Sequence, residues 1–317
     1  MLSRTFHKLW HTHAPLTLSA LVTALVTLFF IIGIFADPRV ITGAPAWLKP
    51  AKFGVSITLY CLTLVWILGF VQGRRRWVSI LGWVVLGTFA LEWFAILTQV
   101  VRGTTSHFNV ATPFDAALWG LMGTAIAVLW GANFVVAGLL LFQKFEDPVF
   151  AWSLRLGLAL TIIGMGLGYL MTAPTAQQLA GWQAGGAVSI VGAHTVGVAD
   201  GGPGLPVVGW STQGGDLRIP HFVGMHALQV VPFLGWWLSR RKRLPVRAGV
   251  ALVGVGSSFY LGVVLIVMQQ ALRAQPLLRP DALTLSLLTG LTLAAIVAVL
   301  ATLRLPRQPQ ARGHAHV

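Results

Sequence analysis

The stretch LTLSALVTALVTLFFIIGIFA, residues 16–36, has 21 residues and no charged side chain. A helix rises 1.5 Å per residue, so a segment of this length covers about 30 Å, the thickness of the hydrocarbon core of a bilayer. Its apolar core is too long for a signal peptide, and no small-x-small cleavage pattern follows it. The stretch therefore predicts a membrane-spanning helix.

Seven further segments have the same apolar character and a similar length. The eight predicted spans are Leu16–Ala36, Ala51–Val71, Val78–Val101, Pro113–Phe142, Val149–Met171, Pro220–Leu238, Ala248–Leu272 and Leu283–Leu303. Charged residues make up only 9% of the chain, against about 25% in soluble domains, which excludes an ordinary soluble protein. The sequence predicts an all-α integral membrane helix bundle of about eight transmembrane helices, forming a single domain over residues 1–317.

Basic residues are divided unequally between the two sides of the predicted bundle. Fourteen lie on the side of the N-terminus and seven on the opposite side, with Arg155 in the fifth span left out. Because Lys and Arg favour cytoplasmic connections, the sequence predicts both termini in the cytoplasm of a bacterial inner membrane. Residues 305–317 are predicted to form a disordered cytoplasmic tail. This topology accounts for the formal charge of +14 without a nucleic-acid partner, and the predicted partner is the lipid bilayer.

One carboxylate falls inside a predicted span, in FALEWFAILTQVVRG, residues 89–103. Glu92 lies ten residues before Arg102, or roughly 15 Å below the outer end of the helix. An ionisable group at this depth is costly unless it is neutral or has a partner, so it predicts a functional site facing the bundle interior. The alternative is a protonated Glu92 that only holds helices together.

The next connection, RGTTSHFNVATPFD, residues 102–115, collects many polar groups in a short loop. Pro113 suits the first turn of the fourth span, with Thr112 as its N-cap and Asp115 at the positive helix end. Capping is the favoured role of Asp115. We expect His107 to act in catalysis or as a metal ligand, and Arg102 to bind a cofactor.

The longest polar segment, residues 174–220, keeps too many Trp and branched apolar residues for a disordered linker. It predicts an ordered extracytoplasmic cap loop over the bundle, and His194, a candidate metal ligand, lies on it together with Asp200.

The stretch GGDLRIPHFVGMHALQ, residues 214–229, follows, with Pro220 as the predicted start of the sixth span. Five residues turn a helix by about 140°, so His221 and His226 do not share a face and do not form an i, i+4 chelate. His221 is expected to face the cap in a catalytic role and His226 to be a metal ligand facing the interior. Arg218 and Gln229 are expected to bind a cofactor.

Three patterns, PAWLKPAKFGVS (45–56), RGTTSHFNVATPFD (102–115) and HTVGVADGGPGLPVVGWSTQGGDLRIPHFVGMHALQ (194–229), carry a resemblance. They resemble those of a group of uncharacterised bacterial polytopic membrane proteins. The resemblance runs from the second span to the sixth and implies no activity.

Three functions remain open from the sequence, and whether the protein is an enzyme is open with them. The first is an oxidoreductase or related membrane enzyme holding haem b or a transition-metal ion between His226 and either His107 or His194. Arg102 and Arg218 would then pair with haem propionates or an anionic substrate, and Glu92 would pass protons or balance charge. The expected substrate is a lipophilic or anionic small molecule. The second is a proton-coupled transporter or channel, and the third an accessory subunit whose cap docks a membrane-protein partner.

Overall fold

Helices account for most of the chain in the computed structural model, which describes residues 2–304. The helices are α1 (Leu2–Ala36), α2 (Leu48–Leu68), α3 (Arg75–Val101), α4 (Pro113–Leu141), α5 (Pro148–Leu167), α6 (Ala176–Gln183), α7 (Arg218–Met225), α8 (Ala227–Ser239), α9 (Val246–Leu272) and α10 (Ala282–Leu303). A 3₁₀ helix, Gly168–Thr172, extends α5. The strands form two short antiparallel pairs, β1 (Val40–Ile41) with β2 (Ala44–Pro45) and β3 (Thr195–Val196) with β4 (Gly215–Asp216).

Eight helical segments in residues 2–304 are long and apolar enough to cross a membrane, which confirms the predicted number of spans. They are Thr5–Ala36, Leu48–Leu68, Arg75–Val101, Pro113–Leu141, Pro148–Gln183, Arg218–Ser239, Val246–Leu272 and Ala282–Leu303. The predicted tail, 305–317, lies outside the described residues. The chain is therefore a helical, multi-pass membrane protein.

The first helix is longer than the sequence predicted, because it begins at Leu2 and kinks at His13, where φ is −159° and ψ is 89°. Pro15 explains the kink, since its ring lacks an N–H and crowds the preceding turn. The imidazole of His13 replaces the missing helical bonds: its Nδ1 accepts the Leu16 N–H at 3.1 Å. The predicted span from Leu16 is thus the segment that follows the kink.

The sixth span is two helices that meet at His226, the C-cap of α7 and the N-cap of α8. The prediction that Pro220 starts this span was wrong by two residues, because α7 begins at Arg218. Proline is tolerated throughout the first turn, where helical N–H groups have no intrahelical acceptor. Tyr260 reinforces the junction, since its hydroxyl donates a short hydrogen bond to the Val223 carbonyl.

The fifth span, α5, contacts four other helices, α4, α7, α8 and α9. At its contact with α7, a Cβ on Gly164 would lie 2.2 Å from the Gly224 carbonyl carbon. Backbones can approach this closely only where both helices present glycine. This contact fixes the depth of α7, and therefore of His221.

The connections fall at two ends of the bundle. The loop-rich end contains 37–47, 102–112, 173–217 and 273–281, and the basic end contains 69–74, 142–147 and 240–245. Segments within each end contact one another, as when the Val110 N–H donates to the Ser189 carbonyl at 2.8 Å. At the edge, α10 leaves most of its apolar side chains exposed, which suits contact with lipid.

Candidate functional site

The loop between α3 and α4 holds His107 in a fixed position at the loop-rich end. Phe108, which follows it, adopts a positive φ of 64° and is buried. The backbone of this loop pairs with the long connection, since Val191 N donates to Phe108 O at 2.8 Å. The Asn109 amide closes the turn on the Thr105 carbonyl at 3.1 Å. These bonds secure the backbone on both sides of the imidazole.

Lys49, in the first turn of α2, reaches this imidazole. Its Nζ lies 2.9 Å from the Nδ1 of His107. When Lys49 is an ammonium it can only donate, so Nδ1 then accepts and the ring proton of a neutral His107 is on Nε2. Burial, with the nearby Lys49, His194 and His221, holds the pKa of His107 well below its usual range. The imidazole is therefore neutral near pH 7.

His194, just before β3, forms an ion-pair-type contact with Asp200. The Nδ1 of His194 lies 2.6 Å from Asp200 Oδ2. The same carboxylate accepts the backbone N–H of His194 at 3.0 Å and the Thr195 hydroxyl at 2.7 Å. Since the carboxylate fixes the proton on Nδ1, the Nε2 of a neutral His194 has a free lone pair. The rings of His194 and His107 lie 6.5 Å apart, centroid to centroid.

The pKa values of His194 and Asp200 are both lowered, for different reasons. Burial lowers the pKa of His194, and the hydrogen bond to Asp200 opposes that effect. For Asp200 burial acts to raise the pKa, but hydrogen bonds from His194 and Thr195 outweigh it and hold the pKa below its usual range. The resting pair is a neutral imidazole beside a carboxylate.

His221 approaches the same place from α7. Its Nδ1 lies 2.8 Å from the Gly164 carbonyl, so Nδ1 donates and Nε2 is the free acceptor. The ring fits because residue 168 is glycine: a Cβ there would lie 2.8 Å from His221 Cε1. His221 lowers the pKa of His107 through charge repulsion. The two imidazoles therefore lie within electrostatic range of each other. Lys49, His107, His194, Asp200 and His221 are called the histidine cluster below.

Glu92 lies towards the middle of α3 and is 1% exposed. Its Oε1 has no hydrogen-bond partner in the described part of the chain. Lys49 is the charged group that interacts with it electrostatically, so Lys49 connects Glu92 to the histidine cluster. A buried carboxylate without a hydrogen bond is destabilising as an anion. Glu92 is therefore protonated, or it is charged and held by Lys49.

No protein-family model, curated protein or solved structure matches this chain.

The two arginines predicted to bind a cofactor already have carboxylate partners. Arg102 pairs with Asp115 at 2.5 Å, where Gln99 also donates to Asp115 at 2.6 Å. Arg218 pairs with the buried Asp216 at 2.5 Å. Thr112 caps α4 through the Asp115 N–H at 3.1 Å, as predicted. These contacts hold the loop-rich end together.

His226 and Gln229 are neighbours one turn apart, with 3.1 Å between Nδ1 and Oε1. Gln229 in turn donates to the Thr63 hydroxyl at 3.1 Å. Within residues 2–304 no hydrogen bond or ring contact joins His226 to His107 or His194, the residues proposed as opposing ligands. No group of three or more His, Cys, Asp and Glu in that range is arranged to hold a metal ion.

Sequence analysis did not select Lys49, which contacts His107, or Lys52, which donates to the Val208 carbonyl at 3.0 Å. One signal was present: both lie in the first turns of α2, the positive end of a helix, where basic residues are unfavourable. Their electrostatic partners come from α3 and from residues 200–218, which no local pattern connects to α2.

Proposed function

We propose that the protein is a membrane enzyme whose histidine cluster performs general acid–base catalysis on a lipophilic or anionic small molecule. The observation that carries the proposal is the contact between His194 and Asp200, 2.6 Å long. A carboxylate that holds one ring nitrogen as a donor leaves the other as a base and stabilises the imidazolium formed on proton transfer.

The roles within the cluster follow from the protonation states. His194 Nε2 accepts a proton from the substrate, and Asp200 balances the charge that forms. His107 carries its proton on Nε2 and donates a hydrogen bond to the opposite side of the substrate. Lys49 supplies positive charge to a developing anion. Glu92, which interacts with Lys49, exchanges protons with the cluster through that cation.

The proposal includes the orientation of the site. The fourteen-to-seven division of basic residues supports cytoplasmic termini in a bacterial inner membrane. The loop-rich end is then extracytoplasmic, and residues 174–220 form its cap. Substrate reaches the cluster from outside the cell or from the outer leaflet.

An oxidoreductase that uses haem b or a metal ion remains a hypothesis. His194 and His221 use Nδ1 for their contacts with Asp200 and Gly164, so ligation would fall to their Nε2 atoms, rather than to the pair centred on His226. The absorption spectrum and metal content of the purified protein test it. A Soret band or a stoichiometric metal that is lost in His194→Gln would place a cofactor in the cluster.

A proton-coupled transporter is the second candidate, because titratable groups extend from the loop-rich end to Glu92. Beyond Glu92, the core between α2, α3 and α4 is mostly apolar, with side chains such as Leu64, Val85 and Leu129. The buried Asn133 in this region is already hydrogen-bonded to Tyr60. A conducting path needs polar groups on both sides of the membrane, so the enzyme is favoured.

The enzyme proposal can be tested without knowing the substrate. Cells expressing the wild-type protein, His194→Gln or the control Lys144→Gln, an exposed residue at the basic end, are compared by mass spectrometry of lipids, quinones and medium. We expect the amount of at least one molecule to change in cells that express the wild type or Lys144→Gln. The same molecule should not change in cells that express His194→Gln. Glu92→Gln should also lose the change at normal expression. Identical profiles for the wild type and His194→Gln, at matched levels of folded protein, would overturn the proposal.

A further inference from the structure

Two exposed histidines face each other at the other end of the bundle. The Nε2 atoms of His7 and His11, one turn apart in α1, are 3.0 Å from each other, and the ring centroids are 4.1 Å apart. This turn lies before the kink at His13 and is regular helix. Among the histidines of this chain, only His7 and His11 are separated by four residues.

The two imidazoles are tilted, with 52° between the ring planes. Their Nε2 atoms face each other within hydrogen-bond distance. A metal ion would therefore find two imidazole nitrogens of the same helix face already close together.

That arrangement matches the requirements of a transition-metal ion. Imidazole nitrogens bind such ions at about 2.0–2.1 Å, so two adjacent ligands at a right angle lie about 3.0 Å apart. Two His at i and i+4 on a helix are a known chelating pair. Both rings are exposed, so water can fill the remaining coordination positions.

We propose that His7 and His11 bind one divalent transition-metal ion of the Ni²⁺, Cu²⁺ and Zn²⁺ group, with Cu²⁺ bound most tightly. The order follows from the intrinsic preference of nitrogen ligands among these ions. His13 is not a third ligand, because it is buried and its Nε2 donates to the Ser79 carbonyl at 3.3 Å. The site lies at the basic end and is independent of the function proposed for the histidine cluster.

The test uses the full chain in detergent, without a histidine tag, and Cu²⁺ as the probe. His314 and His316 near the C-terminus are changed to Gln in every sample, so that they do not compete. Calorimetry should give one equivalent of tightly bound Cu²⁺, and electron paramagnetic resonance should show two imidazole nitrogens. In His7→Gln and His11→Gln the affinity should fall at least about tenfold, because one ligand is lost, and one nitrogen should remain.

A register control separates chelation from the mere presence of two histidines. His11→Thr combined with Thr12→His keeps the composition but moves one ring to i+5, about 140° around the helix. This variant should bind Cu²⁺ as weakly as His11→Gln. Wild-type affinity in it, or in either single variant, would overturn the proposal. Circular dichroism confirms that each variant is folded, which is expected because His7 and His11 are exposed and Thr12 is only half-buried.

Discussion

The Nζ of Lys49 and the Nδ1 of His107 lie 2.9 Å apart although 58 residues separate them in the chain. The ammonium donates to the imidazole, so it fixes the tautomer and disfavours the imidazolium. Lys49→Met should remove both effects: the pKa of His107 should rise towards its ordinary value, and its Nδ1 should become free to carry a proton. Nitrogen NMR of labelled histidine measures both. Lys52→Met, which removes a neighbouring cation bonded to a backbone carbonyl, is the control, and an unchanged His107 titration in Lys49→Met would contradict the assignment.

Asp200→Asn changes the volume of residue 200 very little, but it should still disturb His194. The Asp200 carboxylate accepts bonds from the His194 ring, two backbone N–H groups and the Thr195 hydroxyl. An amide has one acceptor oxygen, so we expect a loss of about 1–3 kcal/mol in unfolding free energy. His194 should also become a mixture of tautomers. Chemical denaturation and nitrogen NMR check the two effects separately, and a single Nδ1–H tautomer in the variant would rule out the orienting role.

The stability of the folded protein should fall as the pH is lowered below about 6.5, the ordinary pKa of histidine. The pKa values of His107 and His194 are both lowered in the folded state. Below pH 6.5 the unfolded chain therefore binds protons that the folded chain does not, and protonation favours unfolding. Each histidine contributes a slope of up to about 1.4 kcal/mol per pH unit. Asp200 acts only at lower pH, where its protonation removes a stabilising charge.

Thermal unfolding followed by near-ultraviolet circular dichroism between about pH 8 and pH 5 measures this dependence. His107→Gln should flatten the profile, because one of the groups that are protonated preferentially in the unfolded chain is gone. A profile as steep as that of the wild type would show that His107 is not protonated preferentially in the unfolded chain.

Gly164→Ala should destabilise the protein and displace His221. The new Cβ would lie 2.2 Å from the Gly224 carbonyl carbon, where the α5 and α7 backbones meet. Overpacking of this kind costs about 1–3 kcal/mol. Gly120→Ala is a matched control, since a Cβ there meets nothing within 4 Å and alanine favours a helix. Equal stability of the two variants would mean that α7 moves away from α5 without any loss of stability, which would contradict the prediction.

Reporter fusions test the proposed orientation. Fusions after Arg76 and Arg243 should report the cytoplasm, and a fusion near Gly202 should report the outside, because basic residues are retained on the cytoplasmic side. A cytoplasmic signal from the fusion near Gly202 would show that the topology is reversed, with the histidine cluster at the cytoplasmic face.

The individual spans could be predicted because each depends on a local property. A run such as Leu16–Ala36 enters lipid according to its own length and composition, whichever helices surround it. The N-cap of α4 could be predicted for the same reason, since Thr112 and Asp115 are only three residues apart. Kinks were harder to predict from the sequence. Pro15 marks the first kink, but no comparable signal lies next to the break at His226.

Composition and hydropathy were enough to predict a helical membrane protein with polar groups concentrated at one end, and the residue pattern pointed to Glu92, His107, His194 and His221 as candidates. Which of these side chains meet depends on how the helices pack. The packing brought Lys49 to His107, paired Arg218 with Asp216, and grouped His221 rather than His226 with the other imidazoles. The physical reason is that these contacts depend on how helices pack, through backbone approaches such as that of Gly164 to Gly224. Hydrophobic periodicity shows which face of a helix is buried, but not the helix against which it is buried.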